Sequence, residues 1–385
     1  MSSRCDLSRY TFFYHNIREL FCSSRLFSLL AACIFTTVVS SLSGQTVNAE
    51  FVNGIINASL VPGSGDIGQK INSAMSINPG GTVMIPNGTY SFGTTIQPPS
   101  SLGSGLTVDC GSLNTILKYT GSGDAIYINN ILGPSIVFRN CTIDGSLSTG
   151  SSANGVHVQA SSNVSFYDCI IKNFPGYGVY NQGAIIALYS NVSAITNGIN
   201  LVDMPDTASG ISTNALRWQG GSLQYGTTTN YWEAPGSSRD ELNVLETTFE
   251  ITSPVPQAIV EACDSCTIKN SYIEYIGGTG TGFPTMVIGN ASGSGYGSGT
   301  NQTPKHFVLQ NNLSLFPLGA LGYEVFNVNS LTLNDDNEQG YPLHTIAFVS
   351  TPTLGITNVN VFLGLLNNSG GRYLNYNSSY FGQFQ

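Results

Sequence analysis

Two glutamates, Glu250 and Glu274, have the spacing in this 385-residue chain that most clearly predicts chemistry. Each follows an apolar anchor residue, Val244 or Ile268, by six positions, and Gln224 holds the same position one segment earlier. If these segments stack as neighbouring strands, the two glutamate Cα atoms lie about 5 Å apart. That separation suits the two carboxyl groups of a retaining glycosidase, and crowding like charges raises the pKa of one of them, as a general acid requires. The alternative is a pair of solvated surface residues on a polar column.

A second acidic set is Glu261 and Glu324. Both lie in a strand-like segment that precedes an anchor residue, and we expect both to face outward, two windings apart. Two strand spacings place them roughly 10 Å from each other, which is closer to the separation in an inverting glycosidase. Surface carboxylates without a catalytic role are again the alternative.

Candidate substrate-binding residues are mainly aromatic. Tyr127 and His157 are predicted to share an outward column on neighbouring windings, with Tyr180 next to them, where their rings could stack on sugar faces. Gln224 could bond sugar hydroxyls. Trp232, in "TTTNYWEAPGSSRDE", is predicted to lie in a long loop that walls a groove. The alternative is that these side chains are plain surface.

The elements that must position these residues form a repeat. The repeat centres on an apolar anchor residue, with an apolar residue two positions before it and another five positions after it. It recurs at intervals of roughly 22 to 40 residues. The residue six positions after the anchor, position +6, is polar in ten of eleven copies. Strand-length alternation with such a period is typical of stacked β-coils about 4.8 Å apart. The exception at +6 is Ala194, where the alternation is shifted by one. The anchors are Ile85, Val108, Phe138, Phe166, Leu188, Trp218, Val244, Ile268, Val308, Leu333 and Val361.

A sharp corner is predicted just after each anchor, because Asn or Asp recurs there, as at Asn140, Asp168 and Asn270. These residues tolerate left-handed backbone. Cys141 and Cys169 follow the corner and should lie one above the other. Their spacing permits a disulfide, but stacked reduced thiols are equally natural.

The ends of such a solenoid need covers, since an open coil exposes an unpaired strand edge. The segment "SGDIGQKINSAMSINP" predicts a helix over about 66–77, capped by Ser64 or Asp66. It would sit over the first coil.

Residues 1–49 read as a signal peptide and leader. Four arginines precede an apolar run at 26–39, which is too short to span a bilayer but suits a signal sequence. Ile34 and Phe35 continue this run past Cys33, which argues against a lipoprotein anchor. We therefore expect a secreted or extracytoplasmic protein whose residues 50–385 form a single domain.

The composition of the chain limits the classes of partner that we expect. Charged residues make up only 9% of the chain, against about 25% in ordinary domains. After the leader there are 20 acidic and 9 basic residues, a net charge of −11, which disfavours a nucleic-acid or anionic-membrane partner. A strongly anionic polysaccharide would need a bridging cation. No zinc-ligand set accompanies Cys263-x-x-Cys266, and no metal site is predicted.

The opening of the repeat resembles a known superfamily. "GDIGQKINSAMSINPGGTVMIPNGTYSFGTTI", followed by "LKYTGSGDAIYI", is similar to the start of the pectate-lyase-like right-handed parallel β-helices. The motif covers about Gly65 to Ile128, and the repeat extends it to Val361. The resemblance implies an all-β, right-handed parallel β-helix of about 11 coils with a short capping helix. It also implies a polysaccharide or oligosaccharide partner bound along an elongated groove.

The resemblance does not assign a reaction. The polygalacturonase pattern calls for Asn-x-Asp, Asp-Asp, His-Gly and Arg-x-Lys in separate coils, and this chain offers only the run Asn334-Asp335-Asp336. A calcium-dependent lyase would need an acidic calcium cluster, which the sequence lacks. The resemblance together with the acidic pairs favours a glycoside hydrolase, for which no cofactor is expected, over a lyase, for which calcium is possible. A non-catalytic, adhesin-like glycan-binding protein is the alternative.

Overall fold

A computed structural model describes residues 51–384, except 53, 63–64, 235–240, 277–281, 290–303, 317–318, 320, 341–343, 349–355, 369–371 and 377–380. Side chains within the strands beyond Asn334 are not described, except Ile346. The predicted leader therefore lies outside the described residues. Val52–Gln385 forms one compact unit.

The windings of this unit stack their strands into three parallel faces. Two faces form one continuous sheet of 23 strands, and the third is a separate sheet of ten strands. The ten-stranded ladder makes about nine turns, slightly fewer than the predicted eleven coils. The all-β, right-handed parallel β-helix is thus confirmed.

The strands are numbered in chain order. The first face comprises β1 (Phe51–Val52), β2 (Ile55–Asn57), β3 (Thr82–Met84), β5 (Leu106–Asp109), β8 (Ile136–Arg139), β11 (Val164–Tyr167), β14 (Ile186–Ser190), β17 (Ala215–Gln219), β20 (Glu241–Leu245), β23 (Ser265–Lys269), β26 (His306–Gln310) and β33 (Phe381–Phe384). The second face comprises β4 (Thr89–Phe92), β6 (Ile116–Tyr119), β9 (Thr142–Asp144), β12 (Ile170–Lys172), β15 (Ser193–Ile195), β18 (Ser222–Gln224), β21 (Thr248–Ile251), β24 (Tyr272–Tyr275) and β27 (Leu313–Phe316). Two long strands, β29 (Val328–Gly340) and β31 (Ile356–Asn368), belong to both faces. The third face comprises β7 (Asp124–Asn129), β10 (Asn154–Gln159), β13 (Tyr177–Gln182), β16 (Ile199–Met204), β19 (Thr229–Glu233), β22 (Ala258–Val260), β25 (Met286–Ile288), β28 (Tyr323–Val325), β30 (His344–Phe348) and β32 (Arg372–Tyr376).

Alternate side chains of each strand fill a shared interior. On the first face, Phe138 pairs with Phe166, which pairs with Tyr189, which pairs with Trp218. All four are buried, and successive ring centroids lie 5.1, 5.6 and 5.1 Å apart. Because a parallel ladder repeats the same side-chain direction at every winding, apolar residues at one position form a continuous core.

The corner between the first and second faces is built as predicted. Asn140, Asp168 and Asn270 have φ values of 60°, 50° and 53°, and Asn191 occupies the same corner of the winding after Asp168. Its Nδ2 donates to Oδ1 of Asp168 at 2.7 Å. The left-handed conformation turns the chain in two residues, and the amide ladder ties one corner to the next.

The helix α1 spans Ile67–Ile77, close to the predicted 66–77. Asp66 caps it by accepting from the backbone N of Gln69, and its second oxygen accepts from the backbone of Gly93 and Thr94 at 2.7 and 3.0 Å. Its apolar face, which includes Ile71, is buried. The helix is thereby fastened to the first coil.

Three of the eleven predicted anchors are wrong by one or two positions. Val108 pairs with Val83 rather than Ile85, and Phe166 pairs with Tyr189 rather than Leu188. Ile268 pairs with Leu309 rather than Val308. Leu188 and Val308 are apolar neighbours of the buried Tyr189 and Leu309, so alternation alone does not identify the inward residue there. Val83 and Ile85 are both buried, so alternation does not distinguish between them. The residue pairs concerned are Val83 with Ile85, Leu188 with Tyr189, and Val308 with Leu309.

The cysteines resolve an alternative that the sequence leaves open. Cys141 forms a disulfide with Cys110 of the preceding winding, and Cys169 is a free, buried thiol. Burial raises the pKa of Cys169 to about 12. Cys263 and Cys266 form a second disulfide.

Candidate functional site

Glu250 and Glu274 are register partners on β21 and β24, as predicted. Their neighbours Phe249 and Ile273 point into the core and are fully buried, so alternation directs both glutamates outward. Gln224 of β18 holds the same position one winding earlier. We call Glu250 and Glu274 the acidic pair; both side chains are half-buried.

Three donors contact the acidic pair. Nε2 of Gln224 and the hydroxyl of Tyr225 both donate to Oε2 of Glu250, at 2.6 and 3.2 Å. The hydroxyl of Tyr272 donates to Oε2 of Glu274 at 2.6 Å. Each carboxylate thus has one oxygen held by the protein, and Glu250 accepts twice as many of these bonds as Glu274.

The two tyrosines are held in their protonated, donating form. Burial, the hydrogen bond to Glu274 and the charges of both glutamates raise the pKa of Tyr272 to about 12. The pKa of Tyr225 is raised by burial and then by its hydrogen bond to Glu250. Both hydroxyls therefore remain donors throughout the neutral range.

Sequence reasoning missed Tyr225 and Tyr272. Tyr272 lies two residues before Glu274, on the same face of the strand, and this spacing was a readable signal. Tyr225 gave none, because it sits in a corner with a φ of 56° that the sequence does not announce. An aromatic residue is rare in that conformation.

The same outward column carries charges of both signs further towards the N-terminus. Lys118, Asp144 and Lys172 precede Ile195 and Gln224 in register. Nζ of Lys172 lies 3.9 Å from Oδ2 of Asp144. Burial pushes the pKa of Asp144 upward, but hydrogen bonds from Asn173 and Ser146, and the charge of Lys172, outweigh it and hold that pKa below its usual value.

A cleft of about 380 Å³ runs along the corner between the second and third faces. Its lining comes from four successive windings, from Gly145 to Thr227. We call it the corner cleft. It ends one winding before Glu250, since Thr227 follows Tyr225 by two residues.

Tyr127, His157 and Tyr180 lie in one column on the third face, as predicted. His157 is the register partner of both Tyr127 and Tyr180. The centroid of its ring lies 4.9 Å from that of Tyr127 and 4.3 Å from that of Tyr180, with which it is stacked at 18°. We call these three residues the aromatic column.

The polar atoms of the aromatic column are bonded within the protein. Nδ1 of His157 lies 2.8 Å from Oδ2 of Asp124, and Nε2 lies 3.1 Å from Oε1 of Gln182. The hydroxyl of Tyr180 donates to Sδ of Met204 at 3.2 Å, and that of Tyr127 donates to Gln159. Because the ring of His157 lies between those of Tyr127 and Tyr180, it has an aromatic neighbour on each side.

Trp232 does not lie in a loop, contrary to the prediction. It belongs to strand β19, and its Nε1 donates to Oε1 of Glu261 at 2.8 Å. Its ring packs partly buried against Ile259, Val287 and Phe326. The residues around Trp232 do not alternate between polar and apolar, because polar Thr229 and Asn230 are buried there, and this concealed the strand.

The second acidic set is not a matched pair. Glu261 is only 1% exposed, so the prediction that it faces solvent is wrong. In register, Glu324 lies two windings beyond Ile259. Glu261 follows Ile259 by two residues, so it is not aligned with Glu324. That offset adds about 7 Å along the strand direction. Burial raises the pKa of Glu324.

Comparison with known proteins gives only distant structural resemblance. No protein-family model and no curated protein matches the chain. Among solved structures, the A-module of mannuronan C-5 epimerase AlgE4 from Azotobacter vinelandii is 13% identical, with a TM-score of 0.45, over 84% of this chain and 98% of that one. An alginate lyase from Paenibacillus sp. str. FPU-7 is 12% identical, with a TM-score of 0.44, over 83% and 97%. The surface protein and adhesin PfbA of Streptococcus pneumoniae is 13% identical, with a TM-score of 0.46, over 84% and 99%.

The strand ladders themselves show a right-handed parallel β-helix. Within the part of this β-helix that the structure describes, no three His, Cys, Asp or Glu side chains are grouped to hold a metal ion. The described helices also include none with the length and apolar character that a bilayer span requires.

Proposed function

We propose that this β-helix hydrolyses glycosidic bonds with the acidic pair. The observation that carries the proposal is the register of Glu250 and Glu274 on adjacent strands, each half-buried and each held by a tyrosine hydroxyl. Adjacent strands lie about 4.8 Å apart. Carboxyl groups of retaining glycosidases are separated by about 5–5.5 Å.

The hydrogen bonds divide the two roles. Donors to a carboxylate stabilise its ionised form, and Glu250 accepts from both Gln224 and Tyr225. Within the described residues, the side chain of Glu274 accepts only from Tyr272. We therefore assign the nucleophile to Glu250 and the proton donor to Glu274.

The proposed reaction has two steps. In the first, a carboxylate oxygen of Glu250 bonds to the anomeric carbon while the glycosidic C–O bond breaks and the leaving oxygen takes the proton of Glu274. In the second, Glu274 removes a proton from water, the water oxygen bonds to the anomeric carbon, and the bond to Glu250 breaks. The products are two shorter sugar chains, and both glutamates return to their original protonation states.

The test is release of reducing ends from a panel of plant and microbial polysaccharides. Wild-type protein should release them from at least one polymer, and Glu274→Gln should not. Glu241→Gln is the matched control, because Glu241 is an exposed glutamate on the first face. An unchanged rate in Glu274→Gln would remove the pair from the proposal, and an unsaturated product absorbing in the ultraviolet would replace hydrolysis with lyase chemistry.

The second candidate is a glycan-binding protein without turnover. It is favoured by the corner cleft, which offers a binding surface that does not depend on the acidic pair. Retention on an insoluble polysaccharide with neither reducing ends nor unsaturated products would select it.

Location and domain limits belong to the same proposal. Residues 1–49 would direct export and then be removed, leaving residues 50–385 as the mature protein. Mass spectrometry of the protein recovered from culture medium tests this directly, since an N-terminus well before residue 50 would contradict it.

A further inference from the structure

We propose that the corner cleft binds the uncharged sugar units of a neutral glycan, on one side of the bond that the acidic pair cuts. The inference rests on the proposed function and deepens it by naming the substrate class. It concerns residues that lie outside the acidic pair and can be tested by binding alone.

The position of the cleft connects it to the acidic pair. Its lining follows the ends of β9, β12, β15 and β18, so it spans three strand spacings, about 14 Å along the solenoid axis. At its far end Thr227 follows Tyr225, whose hydroxyl donates to Glu250. Glu250 lies one winding above Gln224, which is three residues before Thr227, so a chain leaving the cleft towards the next winding would pass beside Glu250.

The chemistry of the lining suits sugars. Small hydroxyl and amide side chains, at Ser148, Asn173, Thr196 and Thr227, surround the exposed ring of Pro175. Sugar-binding surfaces combine such polar groups with an apolar patch that meets the C–H face of the ring. None of the described residues that line the cleft carries an ionisable side chain.

Two glycines keep the floor of the cleft low. A Cβ on Gly145 would lie 2.5 Å from the ring of Phe174, and a Cβ on Gly198 would lie 2.4 Å from the carbonyl oxygen of Pro175. Both contacts are closer than real Cβ atoms approach. Any other residue would therefore displace Phe174 or the backbone at Pro175, and with it the floor.

The charges around the cleft disfavour an acidic sugar. A carboxylate that leaves water is best paired with a cation, and the described lining offers none. Lys172, in the adjacent column, is already beside the ionised Asp144 at 3.9 Å. Glu250 and Glu274 lie beyond the open end and would repel a carboxylate at each successive sugar.

The experiment is calorimetric titration of the full chain carrying Glu274→Gln, so that no ligand is consumed. The probes are hexasaccharides of neutral β-glucan, mannan, xylan and galactan, and hexa-uronates of matched length. At least one neutral probe should bind, and the hexa-uronates should bind at least about tenfold more weakly, a difference of 1.4 kcal/mol. Tighter binding of a hexa-uronate would overturn the inference, as would the failure of every neutral probe.

A cleft-filling variant locates the binding. Ser148→Trp should weaken neutral-probe binding by at least about tenfold, whereas Ser151→Trp, an exposed serine of the same loop outside the lining, should leave it unchanged. Thr227→Trp provides an independent block at the other end if Ser148→Trp does not fold, as judged by thermal unfolding. Equal binding by a folded blocked variant and the Ser151→Trp control would overturn the inference.

The two proposals fail in different ways. If wild-type protein releases reducing ends and the blocked variant retains the same KM, the acidic pair stands and the cleft inference falls. If neutral probes bind at the cleft and no polysaccharide is cut, the cleft inference stands as a binding site and hydrolysis falls.

Discussion

In the acidic pair, neighbouring windings place two carboxylates side by side, whereas in the aromatic column they place Tyr127, His157 and Tyr180 side by side. The same parallel register produces both arrangements. Rings attract one another when stacked, so the aromatic column closes on itself, with both nitrogens of His157 also bonded within the protein.

Like charges cannot satisfy each other in this way. Glu250 and Glu274 are held from the side, by Gln224, Tyr225 and Tyr272, and each is bonded in the structure through Oε2. The difference teaches that a column of register partners is suited to chemistry where the neighbouring side chains do not pair with one another. It is suited to stability where they complete one another.

The largest expected effect tests this division through catalysis. Glu274→Gln should lower kcat for the hydrolysed polymer by about 10³-fold, the scale of lost general acid catalysis. His157→Ala, in the aromatic column, should leave kcat within about threefold of wild type, because the column lies on a different face. Comparable losses in both folded variants would break the comparison.

Stability should show the reverse order. His157→Ala removes two hydrogen bonds and a stacked ring at a site only 9% exposed, and should lower the free energy of unfolding by about 2 kcal/mol. Glu274→Gln keeps the shape of the side chain and an oxygen that can accept from Tyr272, so it should not lower the free energy of unfolding. Urea unfolding followed by circular dichroism measures both, and His306→Ala, at an exposed histidine of β26, is the control. A column variant as stable as the control would contradict the account.

The side donors should matter in proportion to their contacts. Tyr272→Phe removes a 2.6 Å hydrogen bond to Glu274 and should lower kcat by about tenfold. Tyr225→Phe removes a 3.2 Å bond to Glu250, which Gln224 also holds, and should cost less. If neither variant changes kcat or its pH profile, the tyrosines are bystanders.

The smallest expected effect is a change in the pKa of one tyrosine, which sharpens the comparison between the acidic pair and the aromatic column. Tyr272 and Tyr180 both have a pKa of about 12. Burial is the largest cause for each, but Tyr272 also donates to Glu274, whereas Tyr180 is further affected by Tyr177 and by the charges of Asp124 and Asp206. Glu274→Gln should therefore lower the pKa of Tyr272 and leave that of Tyr180 unchanged, as followed by NMR of ring-labelled tyrosine.

The raised pKa of Tyr272 also fixes a direction for stability. The unfolded chain loses this proton near the ordinary pKa of 10.0 while the folded protein holds it to about 12. The stabilising contribution is therefore present below pH 10 and is lost as the pH rises to about 12. Tyr272→Phe should make the pH dependence of unfolding shallower in that window, and an unchanged slope would contradict the assignment.

The sequence predicts the fold better than the site. Alternation of buried and exposed residues, with Asn and Asp at the corners, identifies the windings and places Glu250 beside Glu274, because a strand period of two is a strong constraint. It fails at Leu188 and Tyr189, where both residues are apolar and the inward one is decided by packing on Phe166 and Trp218.

What the sequence cannot supply are contacts between windings whose alignment depends on loop length. Glu261 looked like an outward carboxylate, but the structure buries it under the indole of Trp232. The corner cleft escaped notice for a related reason. Its lining residues are small and neutral, and they come together only because four corners stack.

The most direct test of the acidic pair is the identity of the residue that becomes bonded to the sugar. Incubation with a set of 2-deoxy-2-fluoro glycosyl fluorides of neutral hexoses, followed by peptide mass spectrometry, should find one sugar bonded to Glu250 in wild-type protein and none in Glu250→Gln. A label on another residue, or undiminished release of reducing ends by Glu250→Gln, would contradict the account.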